Sequence, residues 1–275
     1  MENLEFDIKL QCQVLGVSKS GFYDWRSRPE SDRQREDKRL VEQLKQCFIE
    51  SQRTYGVRRL TEDLNELGEV INHKRVARLK QEYSIYPKQH KKFVVTTDST
   101  HGKAVANNRL DREFTVSEPN EVWVSDITYI ATNAGWIYLA VIIDLYSRMV
   151  VGWQLADHMR AELVCEAVKM AEVSRGCLAK LFHSDRGSQY VSEELEESLP
   201  GVTISMSRKG NCWDNAVAES FFGTLKTEHV NHETYKTIHE ARMSLFQFIE
   251  GFYNRKRRHS HLGNISPSRF EAEAT

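Results

Sequence analysis

The chain has 275 residues, 40% of them hydrophobic, and a formal net charge of −1. A chain of this length buries at least one sizeable core, so we expect a compact domain accompanied by a smaller one. No apolar run approaches the roughly eighteen residues of a membrane span, and the N-terminus lacks the basic start and apolar core of a signal peptide. These features exclude a membrane protein or an exported one and predict a cytoplasmic protein.

Cysteine and charge usage narrow the expected cofactors and partners. The five cysteines are odd in number and never occur as CxxC, so we expect neither a disulfide framework nor a structural zinc site. Residues 1–110 carry a formal charge of +5, residues 111–251 carry −9, and residues 252–275 carry +3. An acidic middle suits divalent cations and basic ends suit nucleic acid, although ordinary solvated surfaces produce the same asymmetry.

The N-terminal segment, residues 1–30, is predicted to hold two short helices. They are separated at Gly16, and the second begins at Ser18. Helix, glycine-containing turn and helix form the outline of a helix-turn-helix, which is also the outline of many simple packing hairpins.

Residues 31–83 are predicted to form a helical DNA-binding module. A long helix comes first, a turn at Gly56 leads to a second helix, and Asn72 is placed to cap a third. The exposed side of this third helix is expected to gather Lys74, Arg75, Arg78 and Lys80. It is our candidate for a recognition helix, with a basic solvated face as the alternative. Residues 84–120 lack sustained periodicity and are predicted to be a basic linker lying along a phosphate backbone.

A catalytic core is predicted over residues 121–232, and residues 233–275 are predicted to complete it with a helix and a basic tail. From Glu121 onward, three β-rich segments follow one another, and after them come a helix, a strand, a helix, a short strand and a helix. This order predicts an α/β fold with a ribonuclease-H-like, mixed five-stranded sheet and flanking helices, preceded by small all-α helix-turn-helix modules.

Three acids in this core form the candidate site. Asp126 lies within the first strand, where a charge is unfavourable unless it is paired or binds a metal. Asp185 ends an apolar strand, and Glu219 lies in a helix for which Asp214 is a plausible N-cap. We expect the three to converge if the first and fourth strands are neighbours. Asp144 ranks below Asp126 because a strand-end Asp is commonly a turn former.

Three converging carboxylates are able to hold two divalent cations about 3.5–4 Å apart. Hard oxygen ligands favour Mg²⁺ or Mn²⁺, which activate a water or a 3′-hydroxyl and stabilise the leaving oxygen of a phosphoryl transfer. His183 lies close to Asp185 in the sequence. A strand histidine is more often a packing residue, so His183 is not included in the catalytic set.

Six motifs carry a family resemblance across nearly the whole chain. They are SKSGFYDW, TYGVRRL with NHKRVARL, VWVSDITYI, FHSDRGSQY, SMSRKGNCWDNAVAESFFGTLKTE and YNRKRRHSHLGNISPSRFE. In order and spacing the chain resembles bacterial transposases of the insertion-sequence-three family, the OrfB-type product with a DDE integrase core related to retroviral integrases. The resemblance implies Asp126, Asp185 and Glu219 as catalytic and metal-binding acids, with Mg²⁺ as cofactor.

The same resemblance implies that the protein cleaves and joins transposon ends as a homo-oligomer on double-stranded DNA. It also implies an upstream OrfA-type product to which such chains are fused or bound. Residues in the motifs and in the basic segments are predicted to contact DNA, with packing or solvation as the alternative for each. They are Arg58, Arg59, Lys74, Arg75, Arg78, Arg208, Lys209, Lys226, Arg255, Arg257 and Arg258.

Two other functions remain open at this point. The interval between Asp185 and Glu219 holds 33 residues, slightly fewer than is usual in the family, and Arg186 stands where Gln is common. A catalytically decayed or co-opted transposase that only binds DNA or inhibits an active copy is therefore the alternative. A simple ribonuclease-H-like nuclease is less favoured because it would not need the N-terminal helical modules.

Overall fold

The computed structural model describes residues 7–88, 106–208 and 212–274. Lys209 and residues 89–105 of the predicted basic linker lie outside these described residues. Within them, no helix is both long enough and apolar enough to cross a lipid bilayer.

The first two helices form the predicted hairpin, at Ile8–Leu15 (α1) and Lys19–Ser27 (α2). Gly16 ends α1 with a left-handed φ of 66°, which a glycine adopts without the steric penalty of a Cβ atom. The Ser18 side chain caps α2 by accepting a hydrogen bond from the amide of Gly21 at 3.0 Å. The predicted break and restart are therefore confirmed.

Three helices follow, at Asp32–Glu50 (α3), Val57–Glu66 (α4) and His73–Glu82 (α5). Ser31 and Gln34 cap α3 reciprocally, and Asn72 caps α5 by accepting from the amide of Arg75 at 3.0 Å. The apolar faces of the three helices are buried against one another, with Leu44, Leu60, Leu64, Val76 and Leu79 fully shielded.

Lys80 does not lie on the exposed basic side of α5, which corrects that prediction. Its side chain is 6% exposed, and its Nζ donates to the carbonyl oxygen of Tyr55 at 3.3 Å and lies 5.0 Å from the ring centroid of Phe48. Burial lowers the pKa of Lys80 to about 8. The reason is its register, because Lys80 falls one turn after the buried Val76 and shares its face.

Five strands form one mixed sheet in the order β3-β2-β1-β4-β5. They are Val122–Thr132 (β1), Gly135–Asp144 (β2), Val150–Ala156 (β3), Leu181–Ser184 (β4) and Thr203–Met206 (β5). The pairs β1–β2 and β2–β3 are antiparallel, whereas β4 is parallel to both β1 and β5. This arrangement confirms the predicted ribonuclease-H-like sheet.

Helices cover both faces of the sheet, at Ala161–Arg175 (α6), Glu193–Glu197 (α7) and Ala216–Glu228 (α8). Residues of α6 and α7 share one apolar core with Ala140 and Ile142 of β2, and residues of α8 share the other with Val141 and Ile143. The α6 backbone comes so close to β3 that a Cβ at Gly152 would lie 2.2 Å from the carbonyl oxygen of Ala167.

The C-terminal part packs on the α8 side of the sheet. Ile238–Phe246 (α9) continues directly into a wider π-type helical segment, Gln247–Tyr253, and Pro267–Ala274 (α10) ends the described chain. The predicted final helix is confirmed, whereas α10 was not predicted. Buried aromatic residues of the π-type segment join one continuous apolar core with α3–α5 and β1–β3.

Arg258 links this C-terminal part to the helical module. Its guanidinium donates to Asp63 (2.6 Å) and to Glu66, both on α4. The phenol of Tyr55 accepts from the amide of Arg258 at 2.7 Å and donates to the carbonyl oxygen of Lys256 at 3.2 Å. The module therefore packs on the core through buried polar contacts as well as through apolar ones.

Arg257 and Arg258 are not part of an exposed basic cluster, which corrects the prediction for these two residues. They are 5% and 8% exposed, and Arg257 donates two hydrogen bonds to the Glu228 carboxylate, at 2.7 and 2.6 Å. Arg255 is exposed, so its predicted phosphate contact stays a prediction. The sequence did not predict which of these residues are buried. Five basic residues in a row give no sign of which ones bind an acid elsewhere in the chain.

We expect Arg257→Ala to destabilise the fold by about 3 kcal/mol, because it leaves the buried Glu228 charge without its bidentate partner. Urea unfolding measures the loss. Arg255→Ala is the matched control and should change the free energy of unfolding by less than about 0.5 kcal/mol. Equal losses in the two variants would contradict the interior role of Arg257.

Candidate active site

Parallel pairing of β1 with β4 brings Asp126 and Asp185 to the same part of the sheet. The register pairs Val124 with His183, so each acid lies two residues beyond this pair along its own chain direction. Strand β4 ends at Ser184, and Asp185 begins the loop that follows. The predicted condition that the first and fourth strands be neighbours is thus met.

Asp126 is half-buried and is in electrostatic contact with both other acids. One carboxylate oxygen accepts a hydrogen bond from the amide of Ile127 at 2.8 Å. Burial raises the pKa of Asp126 well above its usual value, and the negative charges of Asp185 and then Glu219 raise it further, while Lys226 acts in the opposite direction. The site therefore concentrates negative charge at one point.

A tight turn orients Asp185. Its Oδ1 accepts from the amide of Gly187 at 2.8 Å. A Cβ at Gly187 would lie 3.0 Å from that oxygen and 2.8 Å from the side-chain oxygen of Gln189, so a larger residue would displace the carboxylate. Gly187 therefore leaves room for the Asp185 carboxylate and the Gln189 side chain in this turn.

Glu219 projects from the first turns of α8. The opposite face of the helix buries Ala218, Phe221, Phe222 and Leu225 in the core. Asn215, at the N-terminal end of the helix, donates from Nδ2 to the carbonyl oxygen of Ser125 at 3.1 Å, one residue from Asp126. The helix is thereby tied to the strand that carries Asp126. Partial burial raises the pKa of Glu219.

Asp214 does not cap α8, which corrects that prediction, and instead anchors the chain that leads into the helix. Its fully buried carboxylate accepts from the backbone amide and guanidinium of Arg208, from Nε of Arg112 at 2.9 Å and from Nδ2 of Asn108 at 3.0 Å. The hydrogen bonds from Arg208 hold the pKa of Asp214 far below its usual range. Sequence analysis missed this cluster, since Arg112 and Asn108 lie about a hundred positions away from Asp214 and no local pattern signals the contact.

Asp144, the alternative to Asp126, and His183 form contacts away from the three acids. Asp144 follows the buried Ile142 on the opposite face of the sheet from Asp126, where its carboxylate accepts from the amides of Asn120 and Tyr146 and from Arg175. His183 is fully buried between the hydroxyls of Ser205 (2.9 Å) and Ser207 (3.2 Å), and burial lowers its pKa to about 4. Their exclusion from the catalytic set fits this geometry.

Two predicted DNA-contacting cations lie beside the acids. Lys226 is on the same helix as Glu219, with its Nζ 4.7 Å from the ring centroid of Tyr129 and in electrostatic contact with Asp126. Arg208 is bound to Asp214 and lies 3.3 Å from Asp111, so its charge is already matched by carboxylates. The side chain of Trp213 lies outside the described residues.

The structure brings the other predicted DNA-contacting residues to a different part of the molecule. Lys74 and Arg58 are exposed, whereas Arg75 and Arg78 both bind the carboxylate of Asp37. Arg59 lies 3.6 Å from Glu228 at the end of α8. Arg33, Glu36, Asn72, Lys74, Arg75 and Arg78 line an open depression of about 530 Å³.

Within the described residues, no three His, Cys, Asp or Glu side chains are already close enough to enclose a metal ion. Asp126, Asp185 and Glu219 nevertheless form a set of hard oxygen donors that fits Mg²⁺ or Mn²⁺. Burial raises the pKa of Asp126, the charges of Asp185 and Glu219 raise it further, and a bound divalent cation would favour the charged carboxylate. The donor chemistry therefore fits the cation that the sequence predicts.

Profiles of known protein families match both the core and the helical module of this chain. Two profiles described as "Integrase core domain" match residues 116–212 and 200–267, and one described as "HTH-like domain" matches residues 34–93. The chain is 46% identical to an "Insertion element IS600 uncharacterized 31 kDa protein" from Shigella sonnei. The 262 aligned residues cover 94% of this chain and 96% of that protein. It is 40% identical over 272 residues to "Transposase InsF for insertion sequence IS3A" from Escherichia coli K12, which covers 97% and 94%.

Solved structures with a related shape are more distant in sequence. A simian T-cell lymphotropic virus intasome, solved with a PP2A regulatory subunit, is similar over 78% of this chain and 70% of that one, with a TM-score of 0.48 and 14% identity. The HTLV-2 integrase catalytic core solved with magnesium is similar over 55% and 96%, with a TM-score of 0.43 and 16% identity.

We expect Asp126→Asn to stabilise the metal-free protein at high pH. The raised folded-state pKa means that the folded protein binds this proton more tightly than the unfolded chain does, so wild-type stability falls as pH rises from about 4 through that pKa. Asn removes the charge, and its side-chain oxygen is still able to accept from the Ile127 amide. Urea unfolding in EDTA across a pH series should show the variant more stable at pH 8 and equal to wild type near pH 4.

The matched control is Asp157→Asn, since Asp157 is exposed and outside the site. This control should track the wild type at every pH. If Asp126→Asn also tracked the wild type at every pH, the pKa of Asp126 would not be raised in the folded protein.

Proposed function

The chain belongs to the family of IS3-type transposases, and on that premise we propose that it cuts the 3′ ends of its element and joins them to target DNA. The observation that supports this most directly is geometric: the β1–β4 register carries Asp126 and Asp185 two residues beyond the Val124–His183 pair, and Asn215 ties the helix of Glu219 to Ser125. We assign these three acids as the catalytic set. Membership of the family supports DNA integration by an integrase-type core. The roles of the individual residues and the metal chemistry are our proposal.

The proposed reaction has two displacements at phosphorus. In the first, a water oxygen attacks the phosphodiester at the element end, the P–O bond to the 3′-oxygen breaks, and a 3′-hydroxyl and a 5′-phosphate result. In the second, that 3′-hydroxyl attacks a target phosphodiester, a new P–O bond forms, and the target 3′-oxygen leaves with a proton. The bond count is unchanged in strand transfer, so no external energy source is needed.

Asp126, Asp185 and Glu219 would hold Mg²⁺ or Mn²⁺, two ions per site. Such ions supply activation of the attacking oxygen and charge stabilisation at the leaving oxygen when bound. The protein's own contribution is positional. The Gly187 turn orients Asp185, and Asn215 ties the helix of Glu219 to the strand of Asp126. Lys226, two helical turns beyond Glu219, is placed to bind a DNA phosphate beside the acids.

The helical module is proposed to bind the element ends, with Lys74 and Arg58 as the exposed phosphate contacts. Arg75 and Arg78 would join them where phosphates compete with Asp37 for their guanidinium groups. Because an element has two ends, we propose that two or more copies assemble on DNA, fused to or bound by an upstream OrfA-type product. The protein would act in the cytoplasm, associated with the nucleoid when DNA is bound.

The alternative function was that of a catalytically decayed transposase that only binds DNA, and it was suggested by the short interval between Asp185 and Glu219. The short junction between α7 and β5 is closed by a turn at Gly201 with a left-handed φ of 77°, and β5 still pairs with β4 along four residues. The start of α8 remains tied to Ser125. These contacts favour the enzyme over the alternative.

We expect Asp185→Asn to lower cleavage of an element-end duplex in Mg²⁺ by more than about a hundredfold, since loss of even an outer-shell partner costs 10–100-fold. DNA binding should remain close to wild type, because the amide conserves the side-chain volume. Gel analysis of nicked and joined products measures the reaction, and Asp157→Asn is the control. Wild-type cleavage by Asp185→Asn would refute the assignment.

We expect Lys74→Ala to weaken binding to the element ends and to lower the slope of log affinity against log salt by roughly 1. Fluorescence anisotropy over a salt series measures both quantities. Lys169→Ala, which removes an exposed lysine from α6, is the control and should leave the slope unchanged. An identical slope for wild type and Lys74→Ala would make the α5 surface a simple solvated face.

A further inference from the structure

An aromatic pair, the half-buried Tyr129 and the exposed Trp136, lies at the end of the β1–β2 hairpin. Tyr129 of β1 and Trp136 of β2 meet edge to face, with ring centroids 5.0 Å apart and an interplanar angle of 84°. Trp136 is 57% exposed, although a tryptophan side chain gains more from burial than most others. The cross-strand contact therefore stabilises the hairpin while leaving much of the indole in solvent.

This pair lies next to the proposed catalytic acids. Tyr129 follows Asp126 by three residues on β1, about 10 Å along the strand at roughly 3.4 Å per residue, so the two side chains leave opposite faces of the sheet. Lys226 spans the gap, since its ammonium lies over the Tyr129 ring and is in electrostatic contact with Asp126. About 10 Å corresponds to roughly three nucleotides of a stacked strand at 3.4 Å each. In the described chain β4 pairs with β1 only as far as Val124, so a strand whose phosphate lies at the acids and that crosses the edge of β1 beside Lys226 would bring its neighbouring nucleotides to the aromatic pair.

The chemistry of this surface favours a nucleic acid base over a protein partner. The residues before Trp136 are Asn133, Ala134 and Gly135, all exposed and either small or polar. One indole in such surroundings offers too little apolar area for a stable protein interface. An aromatic face beside a lysine is instead the combination that binds single-stranded nucleic acid, with stacking on the base and charge on the phosphate.

We propose that Trp136, Tyr129 and Lys226 form a stacking subsite for an unpaired base that flanks the cleaved phosphodiester. Trp136 stacks on the base, Tyr129 holds the indole at its angle, and Lys226 contacts the adjoining phosphate. The inference rests on the proposed function, because it assumes that DNA lies across the acids. Its consequence is that the protein favours frayed or distorted DNA ends over fully paired ones.

The test uses the full chain and two DNA probes of equal sequence, a blunt duplex and a duplex ending in a few unpaired nucleotides, one of them 2-aminopurine. Wild type should bind the frayed probe about tenfold more tightly than the blunt one and quench the 2-aminopurine fluorescence by stacking. Trp136→Ala should lose both the preference and the quenching while binding the blunt duplex normally. Trp136→Phe, which keeps an aromatic face, should restore part of both.

Two controls separate this subsite from other roles of Trp136. Phe246→Ala removes a 51%-exposed aromatic residue of α9 and should leave the preference unchanged. Asp185→Asn should keep the preference and the quenching without cleavage, so the subsite is measured independently of the catalytic assignment. The inference is overturned if Trp136→Ala keeps the wild-type preference, if it weakens binding to both probes equally, or if its only effect is a change in oligomeric state.

Discussion

Burial of the Asp126 carboxylate beside Asp185 and Glu219 is the constraint to which the surrounding structure responds. A carboxylate inside a strand loses hydration, and two further acids at close range make its charged form still less favourable. The fold holds the three together with interactions that do not depend on the acids themselves. Parallel pairing of β1 with β4 sets two of them side by side, and the apolar face of α8 sets the third. Burying a carboxylate beside two others reduces stability, which a site evolved for function is able to tolerate.

Helix α8, which carries Glu219, is held at both of its ends by polar contacts. At its start, Asn215 binds the backbone of Ser125, while Asp214 accepts hydrogen bonds from Asn108, Arg112 and Arg208. At its end, the Glu228 carboxylate binds Arg257 and lies 3.6 Å from Arg59 of the helical module. Helix α8 therefore connects the acidic site to the module that is proposed to bind DNA. A charge that seemed available for phosphate, such as that of Arg257, serves this internal connection.

Much of this architecture follows from local sequence signals. Gly16, Ser18, Asn72 and the alternation around Asp126 predicted helix breaks, caps and strands that the structure contains, and their order predicted the sheet. Pairings between distant residues were not predictable in this way. Lys80 and Arg258 look solvated in a basic stretch, and only the packing of helices far apart in sequence shows them to be buried. The role of Asp214 depends likewise on Asn108 and Arg112, which reach it only after the chain has folded.

If Asp126, Asp185 and Glu219 form one cation site, the protein binds Mn²⁺ there, and a titration with Mn²⁺ measures this binding. Electron paramagnetic resonance of free Mn²⁺ during a titration counts the bound ions without requiring DNA or turnover. The account predicts saturable binding by the wild type and a clear loss in each of Asp126→Asn, Asp185→Asn and Glu219→Gln, with Asp144→Asn unaffected because that acid lies on the opposite face of the sheet. Wild-type Mn²⁺ binding in all three acid variants would contradict it.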